Sequence, residues 1–292
     1  YPLRRQRQMC IRDRALAQLA ETGFQVIFST HSPLMLSRDN APNTIRVRND
    51  PALGVETKKP MKLAVSEALE NAEHQSRTLF QLGNVADIYF SEIVVLCEGK
   101  TDRRLLPLAY EMIYGRAPEL DHITFISLGS CADISKALPV LEAMGIKTRA
   151  VADLDFGYTH ARSGGLLDKE GQDLTDVKVI LAALLPVYGF TLHENGLPKN
   201  QGNGGWTAAD VWSLVAQDKE GSAIARKTQV TLQAQGVWIW PDGCIEQVTG
   251  CVDKGEDAIF EQEEKLRNMS ADDIDATMPI FKRCFEWILD WH

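Results

Sequence analysis

At residues 93–102 the chain reads Ile-Val-Val-Leu-Cys-Glu-Gly-Lys-Thr-Asp. The first five of these residues form a continuous apolar run of strand length, which is typical of a parallel sheet covered on both faces. Glu98 and Gly99 end the run. Residues 101–114 follow with apolar side chains at 105, 106, 108, 109, 112 and 113, a spacing that predicts a helix packed on a sheet.

The same alternation of strand and helix continues along the chain. We predict strands at 123–127 and 148–152 and a helix at 133–144, with Gly129 and Gly145 in the intervening turns. This order predicts an α/β fold with a parallel sheet and right-handed crossovers. Further on we predict helices at 176–188 and 208–217, a strand at 236–240 and a mostly helical end over 258–291. The region from about 160 to 235 is therefore interpreted as a helical insertion.

The segment before residue 90 has a different character. Residues 1–60 contain ten Lys or Arg and five Asp or Glu, whereas the whole chain has a formal net charge of −9. We predict the end of a helix at 15–22, a buried strand at 24–29, a short strand at 43–47 and a turn at 50–54. A boundary is placed at residue 60, and 61–90 is predicted to be a connecting helix. The missing initiator Met and the basic opening suggest a truncated chain.

Composition excludes several classes of protein. A chain of 292 residues with 45% hydrophobic content is expected to be globular, and its acidic net charge argues against non-specific coating of DNA. The six cysteines form no Cys-x-x-Cys pair, so we interpret them as reduced thiols that fill the core. No apolar run is long enough to cross a bilayer and no secretory pattern opens the chain. We therefore expect a soluble, cytoplasmic protein without a membrane partner.

Acidic residues follow two of the predicted strands. Glu98 comes directly after the first strand, Asp102 lies near the start of the next helix, and Asp153 and Asp155 end the third strand. The carboxyl ends of parallel strands face a common crevice, and alternate residues of an extended segment point the same way. Such carboxylates would repel one another unless a hard divalent ion such as Mg²⁺ or Mn²⁺ lay among them. The alternative is that each acid only caps a strand or opens a turn.

These residues resemble the signature of a known family. Glu98-Gly99-Lys100-Thr101-Asp102 after an apolar strand, followed by Asp153-Leu154-Asp155, resembles the Toprim motif of primases, topoisomerases and the OLD (overcoming lysogenisation defect) nucleases. The segment 25–33, which contains His31, resembles the switch-histidine strand and loop of ABC-type ATPase domains. Together they resemble the OLD arrangement from about residue 15. The resemblance implies a Toprim-type, Rossmann-like domain at 91–292 and a C-terminal ATPase remnant at 1–60.

The resemblance also implies further site residues. Residues 236–246 are similar to the late strand and acidic turn of OLD Toprim domains, and this assigns Glu246 to the second of two metal ions. Lys254 matches, less securely, a lysine near the scissile phosphate. The alternatives are an ordinary turn acid and a solvated lysine. Because the other ATPase motifs would precede residue 15, we expect no ATP hydrolysis by this chain, and His31 is interpreted as a nucleotide-binding remnant.

The function implied by the resemblance is metal-dependent cleavage of DNA. Glu98, Asp102, Asp153, Asp155 and Glu246 are expected to hold two ions, with Glu98 or Asp102 assisting proton transfer and Lys254 neutralising charge on the phosphate. Arg103, Arg104 and Arg149 are candidate phosphate contacts or ordinary surface arginines. ATP would be bound only by the full-length protein, and a homodimer and a role in phage defence are implied only by the family.

Two other functions remain open from the sequence. An aspartyl phosphatase would use the strand-terminal Asp153-x-Asp155 for covalent catalysis. This alternative gives Glu98 and Asp102 no role in the reaction. A non-catalytic regulatory or assembly module would carry a vestigial acidic pocket and would bind no metal ion. Activity on small phosphate esters would distinguish the aspartyl phosphatase from the nuclease. A metal-dependent shift in the melting temperature would distinguish the nuclease from the non-catalytic module.

Overall fold

A computed structural model describes residues 15–37, 40–50, 52, 54–68, 85–199, 205–251 and 255–291 of the chain. Its centre is a four-stranded parallel sheet of β3 (Ile93–Cys97), β4 (Ile123–Ser127), β5 (Lys147–Ala152) and β6 (Val237–Ile239). The strands lie side by side in the order β4-β3-β5-β6. The α/β class and the parallel sheet predicted from the sequence are thus confirmed, and β3 and β4 have the predicted bounds.

Helices connect and cover these strands. In chain order they are α1 (residues 15–21), α2 (Met61–Ala68), α3 (Val85–Phe90), α4 (Lys100–Tyr114), α5 (Ile134–Ala143), α6 (His160–Ser163), α7 (Gln172–Tyr188), α8 (Ala208–Gln217), α9 (Lys219–Gln233), α10 (Ile245–Thr249), α11 (Glu256–Arg267), α12 (Ala271–Thr277) and α13 (Pro279–Leu289). Helix α4 joins β3 to β4 and α5 lies between β4 and β5. Helices α6 to α9 lie between β5 and β6, where the sequence predicts an insertion. Among the described residues, no helix is both long and apolar enough to span a membrane.

The two faces of the sheet bury separate apolar cores. Every residue of β3 is buried, and alternate side chains point to opposite faces because the period of a strand is two. Val94 and Leu96 join a core formed with α5, α7, α8 and α9. Val95 and Cys97 join a second core with α4, α11 and α13. This two-sided burial explains why β3 is apolar along its whole length.

The N-terminal segment differs from its prediction. Residues 24–30 form no strand, and Phe24 and Ile27 are 65% and 86% exposed. The buried strand predicted at 24–29 is therefore wrong, because a strand needs a neighbour for its backbone groups and the described residues offer none beside it. The strand predicted at 43–47 begins later, as β1 (Val47–Asp50), and pairs antiparallel with β2 (Gly54–Thr57).

The connecting region also differs in detail. Helix α2 begins at the predicted Met61, residues 69–84 lie outside the described part, and α3 is a separate helix that the sequence reasoning did not distinguish. Met61 and Val65 are buried in the same core as Leu138 and Leu141 of α5. The hydroxyl of Tyr89 donates a hydrogen bond to the carbonyl of Ala41 at 2.7 Å. The boundary at residue 60 and the ATPase remnant at 1–60 stay predictions.

Candidate metal centre of the Toprim-like sheet

Three adjacent strands end at the same edge of the sheet, and each is followed by acidic residues. Glu98 follows β3, and Asp102 lies in the first turn of α4. Asp153 follows β5, and Asp155 lies in the helical turn Leu154–Tyr158. Glu246 lies in the first turn of α10, after β6. Because β3, β5 and β6 are parallel neighbours, the topology gathers these acids at one edge.

The loop between β3 and α4 is held by the side chain of Asp102. The backbone N–H of Gly99 donates a hydrogen bond to Asp102 Oδ2 over 3.2 Å. The hydroxyl of Ser127 at the end of β4 donates to the carbonyl oxygen of Glu98 over 3.4 Å. Asp102 itself is only 4% exposed. These two bonds therefore hold the Asp102 carboxylate and the backbone of Glu98 at the edge of the sheet.

The residues after β5 and β6 approach each other directly. A carboxylate oxygen of Asp153, a carboxylate oxygen of Glu246 and the sulfur of Cys244 all lie within 4.8 Å of one another. The backbone N–H of Leu154 donates to the carbonyl of Gly243 over 2.7 Å and joins the two turns. Glu246 and Cys244 are buried and Asp153 is half-buried. These atoms form a compact set of three potential ligands.

Burial and neighbouring acids shift the pKa of Asp102. Burial raises the pKa of this carboxyl group to about 7, and the negative charges of Glu246 and Glu98 act in the same direction. The Gly99 N–H and the indole N–H of Trp240 oppose the shift because they favour the charged form. The pKa of Asp102 therefore depends on the charges of both Glu98, which follows β3, and Glu246, which follows β6. Asp102 thus couples the acids of these two strand ends electrostatically.

Cys131, in the loop after β4, lies within electrostatic reach of acids from two strand ends. Burial raises the pKa of its thiol, and the charges of Glu98, Asp155 and Asp153 raise it further, in that order. One buried thiol therefore interacts electrostatically with three acids from two separate strand ends. All five acidic residues singled out in the sequence thus follow strands that end at this edge of the sheet.

Comparison with known proteins agrees with this arrangement. Residues 89–155 match the family model described as "Overcoming lysogenization defect protein-like, TOPRIM domain". The chain therefore contains an OLD-like Toprim domain. The matched residues of this Toprim domain include β3, β4 and β5 and four of the five acids, so the OLD-like Toprim domain predicted from the sequence is confirmed.

A curated relative extends the similarity beyond the Toprim motif. The Old nuclease of Escherichia phage P2 is 30% identical over 244 residues, which cover 81% of this chain and 40% of that protein. The chain thus spans less than half the length of this relative. Among solved structures, the C-terminal region of the Xanthomonas campestris pv. campestris OLD protein matches at 15% identity with a TM-score of 0.31. This match covers 69% of this chain and 94% of that one.

The acidic edge of the Toprim domain fits the divalent ions that such domains bind in general. Its donors are carboxylates, the ligands that hard divalent cations prefer. The raised pKa of Asp102 reflects its burial first and the charges of Glu246 and Glu98 second, and bound cations would offset both costs. Within the described part of the chain, Asp153, Cys244 and Glu246 form a donor group that could hold one ion, with ligand atoms within 4.8 Å of one another.

Other predicted residues of the Toprim region have different surroundings. Arg104 forms ion pairs with Glu256 and Glu263, at 2.7 and 2.6 Å. The guanidinium of Arg149 lies over the ring of Trp291, 4.1 Å from its centroid. Both arginines, which were candidate phosphate contacts, thus interact with other side chains of the protein.

Three further predicted residues lie elsewhere or outside the description. Arg103 is exposed, one residue from Asp102. His31 is exposed in the segment that precedes the sheet. Lys254 lies outside the described residues. Of these three, only Arg103 is therefore placed beside the acidic edge.

Sequence reasoning missed the two thiols and the indole at the acidic edge. All six cysteines were interpreted as core fillers, and Cys131 and Cys244 are indeed buried, but Cys244 lies close to two acids and the charges of three acids act on Cys131. The signal available for Cys244 was its position two residues before Glu246 and directly after the Asp242-Gly243 turn. For Cys131 and Trp240 no comparable signal was present, since their electrostatic effects at the acidic edge depend on the sheet order.

Proposed function

We propose that this chain is the nucleic-acid-cleaving part of a metal-dependent endonuclease that hydrolyses phosphodiester bonds of DNA with two divalent ions, Mg²⁺ or Mn²⁺. The observation that carries the proposal is the approach of Asp153 and Glu246 from two different strand ends, with Asp102 and Glu98 beside them. The similarity of the chain to a phage protein named Old nuclease supports the same reaction class.

Each acid has a proposed role in that reaction. Asp153 and Glu246 would hold one ion, and Glu98, Asp102 and Asp155 would hold the other. Bound divalent ions supply an activated water at neutral pH and stabilise negative charge on the phosphate and the leaving oxygen. Glu98 or Asp102 is also proposed to assist proton transfer. Lys254 is proposed to neutralise charge on the scissile phosphate.

The wider context is also part of the proposal. ATP binding at a remnant that includes His31, self-association and a role in phage defence are proposals, and the chain spans 40% of the length of the Old nuclease. DNA is the proposed partner of this chain, and we propose that Arg103 contributes a phosphate contact from the first turn of α4. Arginine suits such a contact because its planar guanidinium donates several hydrogen bonds to phosphate oxygens.

Nicking of supercoiled plasmid DNA tests the proposed function. The chain is incubated with plasmid in Mn²⁺, in Mg²⁺ and in chelator, alongside Asp153→Asn, Glu246→Gln and the control Glu142→Gln. Glu142 is an exposed acid on α5, away from the strand ends. We expect metal-dependent nicking by the parent and the control, and a loss of at least about a hundredfold in the two site variants, which lose ligands of the ions.

Two results would contradict the proposal. Equal nicking by the parent and by both site variants would show that Asp153 and Glu246 take no part in the reaction. Hydrolysis of a small ester such as p-nitrophenyl phosphate without any nicking would favour the aspartyl phosphatase. If the parent shows neither reaction and no Mn²⁺-dependent rise in melting temperature, the regulatory module with a vestigial pocket is favoured.

A further inference from the structure

A cysteine sulfur is one of the three atoms that converge after β5 and β6. Cys244 is 3% exposed, and its sulfur lies within 4.8 Å of carboxylate oxygens of both Asp153 and Glu246. Cys131 also lies beside acids, but it does not belong to this close group. Cys244 is therefore distinguished from the other described cysteines by its distance to two carboxylates from different elements.

The backbone fixes the position of this sulfur. Gly243 has a φ of +121° and a side chain there would collide with Gln247 Oε1, so the turn before Cys244 needs glycine. The backbone N–H of Cys244 donates to Gln247 Oε1 at 3.1 Å. The Leu154 N–H donates to the Gly243 carbonyl and ties this turn to the segment that carries Asp153. The sulfur and the Asp153 carboxylate are thus held on two turns that are hydrogen-bonded to each other.

The spacing of the three atoms suits a single ion. Oxygen and sulfur ligands bind Zn²⁺ at about 2.0 to 2.3 Å, so two ligand atoms of one ion are less than about 4.6 Å apart. The three ligand atoms lie within 4.8 Å of one another, close to that requirement.

We propose that Cys244 is a metal ligand, and that it makes the ion position shared with Asp153 and Glu246 a mixed sulfur and oxygen site. This inference rests on the proposed function and refines its metal chemistry. A thiolate favours borderline ions such as Zn²⁺ and Co²⁺ over the hard Mg²⁺ ion, which prefers oxygen ligands. The position bound by Asp153, Cys244 and Glu246 therefore selects a softer divalent ion than an all-carboxylate position does.

Cobalt spectroscopy tests the proposal without any measurement of activity. Co²⁺ is added to the metal-free chain, and the near-ultraviolet sulfur-to-cobalt charge-transfer band and the visible ligand-field bands are recorded. The same titration is made on Cys244→Ser, which keeps the side-chain size, and on Cys131→Ser, which removes the other thiol beside the acids. We expect the charge-transfer band in the parent and in Cys131→Ser and its loss in Cys244→Ser. Zn²⁺ binding by Cys244→Ser should weaken by at least about tenfold.

The outcomes separate the inference from the proposed function. Cobalt that gives ligand-field bands but no charge-transfer band in the parent overturns the sulfur ligand and leaves the carboxylate site standing. A parent that binds no cobalt, manganese or zinc overturns both. If circular dichroism shows that Cys244→Ser does not fold, the ligands of the ion are identified by X-ray absorption of the zinc-loaded Cys131→Ser variant. A sulfur scatterer at about 2.3 Å supports the proposal and a shell of oxygen and nitrogen alone overturns it.

Discussion

The backbone N–H of Gly99 donates a hydrogen bond to Oδ2 of Asp102 across 3.2 Å, at the point where β3 passes into α4. This bond keeps a buried carboxyl group beside Glu98 and within electrostatic reach of Glu246. The Toprim-like edge thus brings several acids together at a cost in repulsion and desolvation. The stability of the metal-free protein should therefore depend on the charge of Asp102.

Asp102→Asn should stabilise the metal-free protein above pH 7 and have little effect near pH 4. The pKa of Asp102 is about 7 in the folded chain, against 3.8 for an unperturbed carboxyl group. Between these pH values the folded state binds the proton more tightly, so the stability due to Asp102 falls as pH rises and is lost above 7. Asparagine carries no charge, and its carbonyl oxygen can still accept the Gly99 hydrogen bond. Urea unfolding in chelator at several pH values measures the difference.

Glu142→Gln is the control for this pH series, because Glu142 is an exposed acid. Its difference from the parent should stay nearly constant between pH 4 and 8. If Asp102→Asn destabilises the chain equally at both ends of that range, a charge penalty at Asp102 is contradicted. Addition of Mn²⁺ at pH 8 should reduce or reverse the advantage of Asp102→Asn, because the charged carboxylate is then a ligand.

Arg162→Ala should destabilise the fold strongly. Arg162 is 4% exposed and pairs with Asp173 at 2.6 Å, and Asp173 also accepts a hydrogen bond from Thr228 on α9. Removal of the arginine leaves a largely buried carboxylate without its counter-ion, a change that costs roughly 3–5 kcal/mol. Urea unfolding at pH 7 measures the loss.

Lys282→Ala is the comparison for this buried pair. Lys282 pairs with Asp275 at 2.9 Å, but the two side chains are 45% and 47% exposed. Removal of such a pair should cost less than about 1 kcal/mol, since water and salt screen it. Losses of similar size in Arg162→Ala and Lys282→Ala would contradict the buried network.

Gly221→Ala should destabilise the protein even though alanine favours helices. Gly221 lies in the first turn of α9, and an added Cβ would lie 2.2 Å from the carbonyl oxygen of Val215 on α8. The backbones of α8 and α9 must separate to admit it, with an expected cost of about 1–3 kcal/mol. Ser222→Ala, one residue on, is the control and should change the unfolding free energy by less than about 0.5 kcal/mol. A rise in the melting temperature of Gly221→Ala would contradict this packing.

Arg103→Ala should weaken binding of DNA without a change in fold. Arg103 is exposed beside the acidic edge, whereas Arg116, after the far end of α4, pairs with Asp121 at 2.8 Å. Loss of one phosphate contact should lower the slope of log affinity against log salt by about one. Fluorescence anisotropy with a labelled duplex in Ca²⁺ measures this slope. An unchanged slope, or an equal change in Arg116→Ala, would contradict a phosphate contact by Arg103.

The sequence predicted the sheet better than its surroundings. The strands β3 and β4 were predicted to the residue, because burial on both faces makes a parallel strand a short, continuous apolar run. Residues 24–29 show the same pattern but form no strand. An apolar run indicates that a segment favours burial. A strand also requires a neighbouring strand to pair with, and the run itself does not specify that neighbour.

Helix α9 was missed for a related reason. It contains Gly221 and Thr228, which have low helix propensity, and its N-terminus depends on the side chain of Asp218, which accepts hydrogen bonds from the N–H groups of Glu220 and Gly221. Burial of Ala225 and Leu232 against the rest of the insertion stabilises it further. Local sequence preference was therefore too weak to indicate the helix.

The candidate site could be predicted for its acids and not for its sulfur atoms. Glu98 and Asp153 follow recognisable strands, so their convergence follows from the parallel topology. Cys244 and Cys131 reach the acids only because β5 lies between β3 and β6 and because two turns are hydrogen-bonded to each other. A cysteine in an apolar context has many uses, and its neighbours decide which one applies.

Isothermal titration of the metal-free chain with Mn²⁺ tests the central claim most directly. The claim is that acids from the ends of β3, β5 and β6 share divalent ions. We predict binding by the parent and by Glu142→Gln, and affinity at least about tenfold weaker in Asp153→Asn and in Glu246→Gln. A parent that binds no Mn²⁺, or two site variants that bind it as tightly as the parent, would contradict the claim.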